Sequence, residues 1–86
     1  MDLDALLHHY FGSNDLTAID ETAFDTASQR IGIDFGVERD PGRRFALWAL
    51  MYSLGIAPDP TRAFKDARER MAAEAYARMA DRADRP

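Results

Sequence analysis

Asp4 and His8 stand four residues apart, with His9 beside them, and form the first grouping in the chain that could do chemistry. Residues at i and i+4 share one face of a helix, so this pair could supply two ligands to a metal ion. A protein metal site takes three or four ligands, and neither an HExxH pattern nor a third histidine completes this one. The pair therefore reads as a solvated polar face. The sequence calls for no metal and no other cofactor.

A second grouping is basic. Arg39, Arg43 and Arg44 surround Asp40-Pro41-Gly42, a helix-start signal with Asp as N-cap and Pro at the first helical position. Cations at a helix N-terminus oppose its dipole, so guanidiniums there need another reason to be present. Free backbone N–H groups, a glycine and three arginines could together hold a phosphate-bearing anion, with Arg39, Gly42, Arg43 and Arg44 as its contacts. The simpler expectation pairs these arginines with Glu38, Asp34 or other acids.

Nothing else in the chain resembles a catalytic set. Serines and threonines lie outside any nucleophile-elbow context, and Asp34, between Ile33 and Phe35, is the acid nearest to an apolar run. A turn carboxylate capping a neighbouring N–H accounts for it. Phe45, Trp48, Met51 and Tyr52 could line an apolar ligand slot, but aromatics on the most apolar helix of a small protein normally form its core.

Eighty-six residues make one domain, 1–86, with room for one core and little for a deep, dry pocket. Nearly half the residues are apolar and fewer than a third charged, a globular balance. Cysteine is absent, which removes disulfides and thiolate chemistry and favours a cytoplasmic location. The chain opens with no leader pattern, and no apolar run approaches a membrane span. The net charge of −4 disfavours nucleic acid and anionic membranes as partners. Ten arginines against one lysine suggest a bacterial source of high GC content.

Periodicity predicts an all-α fold: a compact bundle of about four helices, roughly 2–11, 20–32, 41–54 and 60–82, packed around the apolar helix 41–54. Leu3, Leu6, Leu7, Tyr10 and Phe11 form the stripe of the first helix. Asp20 caps the second, whose face is Phe24, Ala27 and Ile31, with Gly32 as its stop. Ile33, Phe35 and Val37 alternate with polar or small residues and predict an extended, core-facing linker. In the third helix apolar residues go right round the wheel, as befits a helix surrounded by others. Gly55 ends it.

Asp59-Pro60 opens the last helix, which the pattern carries unbroken to about Arg82 with a fraying tail at 81–86. Its stripe is Phe64, Ala67, Met71, Ala75 and Met79, and Lys65–Glu69, Asp66–Arg70 and Glu74–Arg78 are placed to form ion pairs one turn apart. At 1.5 Å per residue such a helix reaches about 34 Å and outruns its neighbours. Met71, Ala72, Ala75, Tyr76 and Met79 would then form an apolar strip, covered by the first helix or free to meet a partner. Residues 23–31 also echo 63–71, through a duplication or through two unrelated Ala-rich helices. The sequence favours a protein-interaction or regulatory module, self-association included, over an enzyme. The alternative is a binding protein or small enzyme for an anionic ligand held by the arginine cluster.

Overall fold

The computed structural model describes residues 3–13 and 15–83, and the chain is all-α. The helices are α1 (Leu3–Phe11), α2 (Glu21–Val37), α3 (Pro41–Ser53), α4 (Pro60–Ala63) and α5 (Ala67–Ala83), with a single 3₁₀ turn over Leu16–Ala18. Among the described residues there is no strand, and no helix is long and apolar enough to cross a membrane. Helix α3 packs against α1, α2 and α5, while α1 and α2 also pack on each other and α4 on α5. The molecule measures 37 × 36 × 19 Å, about two helix diameters in its thinnest direction.

Local chemistry sets most boundaries. Asp20 accepts a 2.7 Å hydrogen bond from the Ala23 N–H to open α2, and Asp40 accepts one of 2.9 Å from the Arg43 N–H to open α3. At the end of α3, Gly55 has φ +77°, its N–H bonds the Tyr52 carbonyl, and the Ile56 N–H bonds that of Met51. This Schellman closure needs a left-handed residue that glycine adopts without strain.

Leu47, Trp48, Ala49, Leu50 and Met51 of α3 are all buried. They meet Ile31 and Phe35 of α2, Phe64, and Ala73 of α5, with Leu3, Leu6 and Leu7 of α1 packed at the margin. The aromatics sit in this core. Trp48 stacks on Tyr52 at 5.3 Å between ring centres, Phe64 meets Phe35 and Trp48 edge-on at 5.9 and 6.0 Å, and the Trp48 indole N–H donates to the Pro58 carbonyl. Burying each such side chain contributes roughly 1.5–3 kcal/mol.

The structure departs from the sequence expectations at the end of α2 and along the last helix. Residues 33–37 are helical, because α2 runs past Gly32 to Val37. Ala27, Ile31 and Phe35, spaced four apart, form its buried face, so Ile33 and Val37 point outward at 65% and 72% exposure. The helix stops at Glu38, which is extended at φ −69° and ψ 132°.

The last helix is broken. Phe64 is extended, at φ −129° and ψ 121°, and this kink lets its ring sink fully into the core. Asp66 then caps α5 by accepting from the Glu69 N–H at 3.1 Å. Asp66 is thus a cap, and the unbroken i, i+4 ladder expected across Lys65–Arg70 does not form. Helix α5 continues through Ala83, and 84–86 lie outside the described residues. The echo between 23–31 and 63–71 joins unlike structures, since the first lies within α2 and the second spans the break.

Candidate functional site

Arg39, Gly42, Arg43 and Arg44 lie at the start of α3 but do not converge on one point. The Asp40 carboxylate occupies the helix N-terminus, where an anion would otherwise sit. Gly42 makes room for it, since a β-carbon there would stand 3.3 Å from the Asp40 Oδ2. The Arg43 Nε donates to the Glu38 Oε1 at 2.6 Å, and this bond lowers the Glu38 pKa and raises that of Arg43. Arg44 turns inward, 4.3 Å from the Phe35 ring centre and 5.4 Å from that of Phe64, and donates to the Ala63 carbonyl at 3.1 Å. It ties α3 to the end of α4. Arg39 is exposed.

Two open grooves flank Arg43. One, of about 560 Å³, runs between Ala5 and Leu6 of α1 and Ala46 and Leu47 of α3. The other, of about 540 Å³, is more polar and holds His9, Tyr10, Asp34 and Glu38. There the Tyr10 hydroxyl donates to the Asp34 Oδ2 at 2.6 Å, with the Arg30 guanidinium 5.9 Å from the Tyr10 ring centre. Burial, together with the hydrogen bond to Asp34 and its charge, pushes the Tyr10 pKa up to about 12. Asp34 therefore joins α2 to α1 and does not cap a turn. A phenol held in its protonated form beside internally paired charges supplies no general base. His8 and His9 are exposed, His9 edge-on to Tyr10, and among the described residues no three acids or histidines gather as metal ligands.

The partner strip proposed from sequence has a different setting. Helix α5 rests on α3 through Ala73, which is fully buried, and through half-buried Tyr76, Ala77 and Ala80. Tyr76 belongs to this inner face, edge-on to Phe45 at 5.9 Å. The break at Phe64 decouples the register of α5 from that of α4, which places Met71, Ala72, Ala75 and Met79 on the outer side. Met71 is 66% exposed and Met79 64%, values that mark them as outside the core. Helix α1, expected as a cover, packs on α2 and α3 instead.

The outer face also carries Arg68, Arg78 and Arg82, all exposed and without a hydrogen-bonding or acidic partner among the described residues. The sequence pattern pairs Arg78 with Glu74, a pair that the structure does not form, and singles out neither Arg68 nor Arg82. Of the acids of α5, Glu69 and Glu74 are half-buried, and Asp81 accepts a 2.5 Å hydrogen bond from the Tyr52 hydroxyl.

No family model, curated protein or solved structure matches this chain.

Proposed function

We propose that this protein is an interaction module whose docking surface is the outer face of α5. The observation that carries the reading is the exposure of Met71 and Met79 on a helix whose opposite face is already seated on α3. Methionine side chains are flexible and polarizable, and they suit surfaces that meet another chain. Between them Ala72 and Ala75 keep the helix low enough for close approach. Among the described residues no assembled nucleophile, base and anion hole competes with this reading, and Arg43 and Arg44 at the start of α3 are engaged within the fold. A cysteine-free chain is at home in a reducing compartment, so we place the interaction in the cytoplasm.

Site-specific photocrosslinking in the native host tests the proposal. A benzoylphenylalanine placed at Ala75 is expected to give a discrete adduct that a control at exposed Thr22 does not, and Met79→Asp is expected to abolish it. An adduct pattern identical at the two positions would overturn the assignment.

A further inference from the structure

We infer that the outer face of α5 receives an acidic amphipathic helix from a partner protein; this rests on the reading of that face as a docking surface. Arg68, Met71, Ala75, Arg78, Met79 and Arg82 recur at helical spacing along one side, over about 21 Å, or four turns. Met71, Ala75 and Met79 share this side with the arginines, and Ala75 is a shallow seat between the two methionines, the relief into which a large side chain of a facing helix fits. The three arginines bring positive charge to that strip, while of the acids of α5 Glu69 and Glu74 are half-buried and Asp81 is bonded to Tyr52.

This charge arrangement chooses among occupants. The chain as a whole carries −4, so a uniformly basic face is a local departure from its balance. A second copy docking through the same face would set arginines against arginines, which opposes a symmetric dimer. Anionic membranes favour basic helices with bulky Trp, Phe or Leu on the apolar side, and this strip has only methionine and alanine. A helix bearing large apolar residues along one seam and Asp or Glu on its flanks meets both features at once: its seam covers Met71, Ala75 and Met79, and its carboxylates meet guanidiniums in paired geometry.

The test titrates the full ¹⁵N-labelled chain with two synthetic helical peptides of identical leucine pattern, one flanked by glutamates and one by lysines. The acidic peptide is expected to shift amides across residues 68–82 and to bind about tenfold or more tightly than its lysine counterpart. That advantage is expected to fall to about twofold or less in the combined Arg68→Gln, Arg78→Gln, Arg82→Gln variant, whose circular dichroism matches the parent because all three sites are exposed. Equal binding of both peptides at α5 overturns the acidic assignment while leaving the docking surface in place. Binding of neither at millimolar concentration overturns it too, and the crosslink at Ala75 then decides the docking surface separately. Cosedimentation with phosphatidylserine vesicles without peptide binding, or a dimer abolished by Met79→Gln, would assign the face to another occupant and also overturn the inference.

Discussion

Tyr10 and Asp34, twenty-four residues apart, are joined by a 2.6 Å hydrogen bond that fastens α1 to the middle of α2. Helix α1 has no fully buried residue, and this polar tie adds to the packing of its half-buried Leu3, Leu6, Leu7, Tyr10 and Phe11. Tyr10→Phe is expected to cost about 0.5–1.5 kcal/mol in urea unfolding, the range for a hydrogen bond partly open to water. The tie also sets a pH dependence. Tyr10 holds its proton to about pH 12 in the folded chain, against the ordinary 10.0 when unfolded. Its contribution is therefore complete below pH 10 and fades as pH rises toward 12. The stability gap between the parent and Tyr10→Phe should shrink across that window; a gap that stays constant to pH 11.5 would count against the bond.

Arg43 and Arg44 are neighbours with opposite fates, and their alanine variants should separate cleanly. Arg44 covers the Phe35 ring and bonds the Ala63 carbonyl, so Arg44→Ala is expected to cost about 1–3 kcal/mol through lost packing and an abandoned carbonyl. Arg43 is 71% exposed in its pair with Glu38, where the effect of losing the bond is at the level of ordinary surface substitutions. Thermal unfolding of the two variants gives the comparison. A larger loss for Arg43→Ala would mean that its exposed pair matters more than the inward contacts of Arg44.

Features decided within a few residues were readable from the sequence. Asp20, Asp40-Pro41 and Gly55 bound their helices through contacts no more than five residues away, and the residue types announce those contacts. The apolar identity of α3 was equally plain. What escaped was settled at a distance. Phe35 is buried against Phe64, twenty-nine residues on, and that contact keeps residues 33–37 helical where a short alternating pattern points to extended chain. The candidate strip on α5 was legible as composition but not as orientation, because its register depends on the kink at Phe64. One sign of that kink lay in the sequence: Asp66-Ala67-Arg68-Glu69 has the spacing of a capping box.

Asp66→Ala tests whether that cap defines the break. The substitution removes the acceptor for the Glu69 N–H and is expected to cost about 0.5–2 kcal/mol. Hydrogen exchange should quicken at residues 67–70 while the amides of α3 keep their protection. Uniform loss of protection across the molecule would show instead that the break and the core unfold as one unit.

Glycines give predictions of opposite sign. Gly32 and Gly36 lie within α2, and an added β-carbon at either would meet nothing within 4 Å. Replacing each with alanine should stabilise the protein by about 0.5–1 kcal/mol by restricting the unfolded chain. Gly55 also has open space around it, but its φ of +77° makes alanine strained there, at a cost of about 1–2 kcal/mol. Urea midpoints for the three variants should move up, up and down.

The two sides of α5 can be told apart by the same measurement. Met71→Gln with Met79→Gln changes only exposed side chains, so unfolding free energy should stay within about 0.5 kcal/mol of the parent at every protein concentration. Ala73→Leu forces a larger side chain into the fully buried contact with α3 and is expected to cost about 1–3 kcal/mol. If instead the methionine pair destabilises strongly, and more so at high concentration, the outer face is already covered by another copy of the chain. If the pair is silent for folding yet loses the photocrosslink from Ala75, the two methionines act in binding and not in holding the fold together.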